Sequence, residues 1–90
     1  MKRVHLIVHG FVQGVFFRAN AARKAIELGL RGYAKNMADS SVEIVAEGNE
    51  EKLEKLIEFC KSNPGASKVS KVDIKFENSK NEFNAFEIKY

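Results

Sequence analysis

The chain has one cysteine, Cys60, one proline, Pro64, and no apolar run approaching the length of a membrane span. A lone cysteine excludes an intramolecular disulfide and suits a reducing compartment, so a cytoplasmic location is expected. Without an apolar run of about 20 residues, no membrane helix is expected. Met1-Lys2-Arg3 leads straight into an alternating segment rather than an apolar signal core, so no secretory leader is expected either. Charge of one sign is also in short supply. The net charge of +3 is too small to argue for a nucleic-acid partner, although it favours an anionic small molecule. No linker, low-complexity stretch or solenoid-period repeat interrupts the sequence, and its 90 residues are expected to form one domain, 1–90. A chain of this size buries roughly 60–70% of its unfolded surface, enough for one modest core.

What is present is periodic. Val4, Leu6 and Val8 alternate with His5, Ile7 and His9, which predicts a strand over Val4–His9. Ala21, Ala22, Ala25 and Leu28 mark the apolar stripe of a helix over Phe17–Leu28, with Gly29 placed to stop it. Arg31–Asn36 and Val42–Glu47 read as two strands joined by the polar turn Met37-Ala38-Asp39-Ser40-Ser41. Asn49 is placed to cap a second helix, with Glu50 and Glu51 in its first turn. Leu53, Leu56, Ile57 and Cys60 form its apolar stripe, and Pro64-Gly65 ends it. Val72, Ile74 and Phe76 give a fourth strand, Asn78–Glu82 a loop, and Phe86, Ile88 and Tyr90 a short last strand. The order β-α-β-β-α-β plus a short C-terminal strand predicts an α+β, ferredoxin-like α/β sandwich, an antiparallel sheet with two helices on one face.

One stretch carries chemistry. Gly10-Phe11-Val12-Gln13-Gly14-Val15-Phe16-Phe17-Arg18 joins the first strand to the first helix. A glycine-bearing loop at that place points several backbone N–H groups into one small space. The first N–H groups of the helix have no intrahelical partners and carry partial positive charge. Arg18 adds a planar, permanently charged fork of donors. A helix start is an adverse place for a cation, and no Ser, Thr, Asp or Asn stands beside it as a cap. Anion binding accounts for that placement better than a purely structural role does, and the dimensions suit a phosphate.

The same stretch resembles the first signature of the acylphosphatase family, G-x-V-Q-G-V-x-F-R. Gly32-Tyr33-Ala34-Lys35-Asn36, followed by Val42-Glu43, is similar to the second, and the likeness covers nearly the whole chain. It implies hydrolysis of a small-molecule acyl phosphate to carboxylate and phosphate, with no metal and no other cofactor. It implies that Arg18 and the amides of Gln13, Gly14, Val15, Phe16, Phe17 and Arg18 bind the phosphoryl group. Asn36 would orient the attacking water. In this fold the first loop and the end of the second strand share one edge of the sandwich. No carboxylate or histidine in these motifs is an obvious general base. A carboxylate leaving group needs little acid help, and the bound phosphate is itself able to take a proton from water. The family commonly has glycine where this chain has Ser40, so either a different turn is expected there or Asp39 takes the positive φ.

Other residues read as structural. His5 and His9 lie roughly 13 Å apart along one strand face, too far to share a metal ion. Cys60 reads as core, and Phe11, Phe16 and Phe17 as packing beneath the loop. Lys52, Lys55, Lys61, Lys68, Lys71 and Lys75 read as solvated faces. An RNA-binding module on the same general fold would need stacking aromatics on its central strands, and neither Val4–Val8 nor Val42–Val45 supplies them. A regulatory or interaction domain is the third alternative, since modules resembling this family also occur within larger maturation enzymes acting on carbamoyl phosphate. The expected partners therefore exclude nucleic acid and membrane, and the chain is expected to be a monomer.

Overall fold

The structure, a computed structural model, describes residues 1–90. Its elements are β1 (Lys2–Phe11), α1 (Phe17–Glu27), β2 (Arg31–Asn36), β3 (Val42–Gly48), α2 (Glu50–Lys61), β4 (Lys68–Asn78) and β5 (Phe86–Lys89). One five-stranded sheet runs in the order β4-β1-β3-β2-β5. The β1–β3, β1–β4 and β2–β3 pairs are antiparallel. β5 pairs with β2 in parallel, so the sheet is mixed and not wholly antiparallel as the sequence suggested. The reason is topological. β4 ends at one edge of the sheet, and the chain must cross to the far edge before it pairs again.

The strand alternation separates two faces. Val4, Leu6 and Val8 of β1 and Val42, Ile44 and Ala46 of β3 point to the helices and are sealed from solvent. Ala21, Ala22 and Ala25 let α1 lie close to the sheet, while Leu53, Leu56, Ile57 and Cys60 of α2 complete the core. The Asn49 side chain accepts from the Glu51 N–H at 2.9 Å, capping α2 as its sequence predicts. Burial pushes the Cys60 thiol up to about 12, and it behaves as a small hydrophobe. The strands outrun their sequence-predicted limits. β1 gains residues at both ends and β4 starts at Lys68, because the two pair along nearly their whole length.

The face away from the helices is polar. His5 Nε2 lies 2.7 Å from Glu43 Oε2, and the Tyr33 hydroxyl donates to Glu43 Oε1 at 2.9 Å. Burial, followed by the Glu43 hydrogen bond and charge, pushes Tyr33 up to about 12. His9 pairs separately with Asp73. Residues 79–85, between β4 and β5, lie across this face. Arg3 Nε and the Lys80 N–H both donate to Glu47 Oε2, at 2.9 and 2.8 Å, and Arg3 Nη2 donates to Glu82 Oε1. The Phe83 ring meets Tyr33 edge-on at 5.9 Å. Glu47 is fully buried beneath this segment. Burial alone would raise its carboxyl, but the Lys80 N–H and the Arg3 guanidinium outweigh it and hold the group below the usual range.

Candidate active site

The loop after β1 is shaped by two glycines with different tasks. At Gly10 the β1–β4 register shifts, and a Cβ there would stand 2.2 Å from the Lys68 carbonyl oxygen. Only glycine permits that approach. Gly14 has φ 76 with open space around it, so it serves conformation and not packing. Phe16 follows with φ 61 and ψ 25 as the N-cap of α1, without any side-chain cap and with no acidic residue in the first turn. Two left-handed residues in so short a loop fold the backbone into a concave nest of N–H groups. The first helical hydrogen bond is from Asn20 N to Phe16 O at 3.0 Å. The N–H groups of Gln13 to Ala19 donate to no other backbone group, as expected of the free first turn of a helix and the loop before it.

Val12 and Phe17, each 1% exposed, pin the loop to the core on either side of this nest. Phe11 and Phe16 do not pack beneath it, contrary to expectation. They are 59% and 82% exposed, because alternation sends Phe11 off the end of β1 and the left-handed backbone turns Phe16 outward.

Arg18 lines the same cavity as Gly14 and Phe16. Its Nη1 donates to the Lys89 carbonyl at 2.8 Å, and its guanidinium lies 4.8 Å from the Tyr90 ring centroid. β5 thus fixes the orientation of the fork while leaving most of its donors free. Asn36 ends β2 on the helix-facing side, opposite Val42. Its Oδ1 is buried and has no hydrogen-bond partner. A buried acceptor left without a donor costs about 1–3 kcal/mol, and such a cost points to a ligand or water that donates to it. Arg18, Asn36, Gly14, Phe16, Ile88 and Tyr90 line one cavity of about 440 Å³.

The turn that carries Asn36 is tied to the loop. Gln13 Nε2 donates to the Met37 and Ser41 carbonyls, both at 2.9 Å. Asp39 Oδ1 accepts from the Ser41 N–H and hydroxyl, which holds its carboxyl below the usual range. The positive φ of the turn falls on Ser40 itself, at 77°. Neither sequence expectation held there. The Met37 N–H to Ser41 O bond and the Ser40 N–H to Met37 O bond close the turn, and serine adopts the conformation that favours glycine.

A sequence profile of the acylphosphatase family matches residues 4–88. The chain belongs to the acylphosphatase family. It is 46% identical over 88 residues to an acylphosphatase of Methylococcus capsulatus, covering 98% of this chain and 96% of that one. It is 43% identical over 89 residues to an acylphosphatase of Aeropyrum pernix, covering 98% and 88%. The crystal structure of acylphosphatase from Bacillus subtilis superposes with a TM-score of 0.96 at 37% identity, covering all of both chains. The chain is therefore a hydrolase of this family, with the family's ferredoxin-like fold and its acyl phosphate activity. No helix in it is long and apolar enough to cross a membrane.

Of the residues that the acylphosphatase resemblance nominated, Gly14, Phe16, Phe17, Arg18 and Asn36 line the one cavity. Gln13 and Val15 do not. The side chain of Gln13 turns to the β2–β3 turn, and Val15 lines a neighbouring hollow. The sequence reading missed Ile88, the Lys89 carbonyl and Tyr90. The signal was available only through topology. A strand that pairs beside β2 must bring its end next to the end of β2, where Asn36 stands.

Proposed function

We propose that this chain hydrolyses the carboxyl-phosphate bond of acyl phosphates without a metal, using Arg18 and the loop amides on the phosphoryl group and Asn36 on the water. The observation that supports the reading is one cavity lined by the Arg18 guanidinium, most of whose donors are free, by loop residues whose N–H groups have no backbone partner, and by Asn36 with its orphaned Oδ1. Asn36 Oδ1 accepts a hydrogen bond from one O–H of the water and so aims the water's lone pair at phosphorus. The water oxygen bonds to phosphorus as the bond from phosphorus to the carboxyl oxygen breaks, and the electron pair leaves with the carboxylate. The water's proton passes to a phosphoryl oxygen, which accounts for a site without a general base. Charge spread over the three equatorial oxygens is met by donors already in place, and that positioning supplies most of the catalysis. The chain acts on its small substrate as a cytoplasmic monomer in this reading, with 1–90 as one domain.

Benzoyl phosphate hydrolysis in EDTA tests it, with a no-enzyme control for spontaneous breakdown. Turnover is expected to survive EDTA. Arg18→Ala is expected to lose at least about 100-fold in kcat/KM, the size of effect seen when one charge-stabilising donor is removed. Asn36→Ala is expected to lower kcat while leaving inhibition by inorganic phosphate largely intact. Near-normal kcat in the Asn36 variant removes that residue from the role, and a requirement for metal removes the mechanism.

A further inference from the structure

A second cavity, of about 540 Å³, shares Gly14, Phe16 and Ala19 with the first but opens toward the loop at Gly65 and Ala66. Its polar wall is Asn20 and Arg23, and no carboxylate lines it. Arg23 Nη2 donates to Asn20 Oδ1 at 2.7 Å. A guanidinium only donates, so it fixes which way the Asn20 amide faces, with oxygen toward Arg23 and Nδ2 turned away. That Nδ2 stands beside Gly65, where an added Cβ would come within 2.9 Å of it. A side chain at Gly65 would therefore crowd the Asn20 amide, and glycine leaves it uncovered on that side. Asn20 and Arg23 stand at i and i+3 on one face of α1, leading away from its uncapped start, while Phe16 precedes the helix. The rise from Phe17, the first helical residue, to Arg23 is about 9 Å, and helix side chains lean back toward the N-terminus, which leaves a gap that a short acyl chain spans.

We propose that this cavity is a subsite for a distal carboxylate on the acyl portion of the substrate, with Arg23 and the Asn20 amide as its donors. The inference rests on the acyl phosphate reading above. The phosphoryl group sits in the first cavity, the chain passes the shared Gly14–Phe16–Ala19 wall, and its far end meets a cation that lacks a carboxylate in the wall around it. Arg23 is then a specificity residue. It favours acyl phosphates ending in a second anion over neutral ones of the same length.

Two stable phosphonates of equal carbon count, 4-phosphonobutanoate and butylphosphonate, test this by calorimetric Kd at low, fixed salt. The wild-type chain is expected to bind the carboxylated probe about three- to tenfold more tightly, the range of a partly exposed charge-assisted pair. In Arg23→Gln the ratio of the two Kd values is expected to fall to about one, and Arg23→Lys, which keeps the charge without the fork, is expected to retain part of it. The ratio is taken within each protein, so a general change in phosphonate affinity or folded fraction cancels. Equal Kd values in the wild type, binding of neither probe, or a preference that survives Arg23→Gln each overturn the proposal. Benzoyl phosphate turnover measured alongside tests the catalytic reading separately. Turnover without the preference sinks only the subsite, and the preference without turnover supports the subsite while sinking the catalysis.

Discussion

Ser40→Gly is expected to make this protein more stable. Ser40 holds φ 77, is exposed, and uses only its backbone, whose N–H donates to the Met37 carbonyl at 3.2 Å. The left-handed conformation costs a non-glycine residue roughly 1–2 kcal/mol, through the approach of Cβ to its own carbonyl. Glycine removes that cost but brings about 0.4–1 kcal/mol of extra unfolded-state entropy. The difference is a gain of about 0.5–1 kcal/mol, equivalent to a rise of roughly 2–8 °C in Tm for a domain of this size. Urea unfolding reads the change as a higher midpoint at unchanged slope. Ser40→Ala is the control, because it removes the hydroxyl while keeping the Cβ. A glycine variant no more stable than the alanine variant would refute the reasoning, since both lose the same hydroxyl and only one loses the strain. The turn ends β2 at Asn36, so kcat on benzoyl phosphate is expected to hold or rise, and a fall would mean that serine sets the turn in a way glycine does not.

Gln13→Met keeps the volume but removes two hydrogen bonds, to the Met37 and Ser41 carbonyls, each of which keeps its backbone partner within the turn. It is expected to cost about 1–3 kcal/mol in denaturant unfolding and to lower kcat more than phosphate affinity, since the loop stays and Asn36 drifts. The Glu47 carboxyl is held below its usual value in the folded state, so the stability it contributes is present above about pH 4.5 and is lost as pH falls through the lower folded value. Tm is therefore expected to drop on acidification below about pH 4.5, and Glu47→Gln, less stable at neutral pH, is expected to show a shallower drop. An identical acid limb in the two proteins would remove Glu47 as its cause.

The parts that were legible in the sequence are those written in local periodicity. Val4, Leu6 and Val8, the alanine face of α1, and the Asn49 cap each follow from spacing alone, and each stands in the structure as read. The uncapped start of α1 and the conformational role of Gly14 were legible for the same reason, because both are local. What was not legible depends on pairing between distant segments. The parallel placement of β5 cannot be seen in Phe86, Ile88 and Tyr90, whose alternation fits either edge of the sheet. The contact of Arg18 with Lys89 and Tyr90 was hidden with it. Nor did Gln13 announce its side chain, because its two acceptors lie 24 and 28 positions away. Ser40 was missed for another reason. Propensity favoured Asp39 for the left-handed position, but the Asp39 carboxylate is engaged with Ser41, and that local hydrogen bonding decides which residue is strained.

The bond from Arg18 to the Lys89 carbonyl spans 71 positions of the sequence, and the strand that offers that carbonyl docks only on a finished neighbour, β2, after crossing from the opposite edge. A loop closure of that length is among the slowest contacts a small domain makes. The loop amides rest only on β1 and α1, whereas the orientation of Arg18 rests on a strand 71 positions away. The two halves of the proposed site therefore depend on contacts of very different range, one local and one reaching across the sheet.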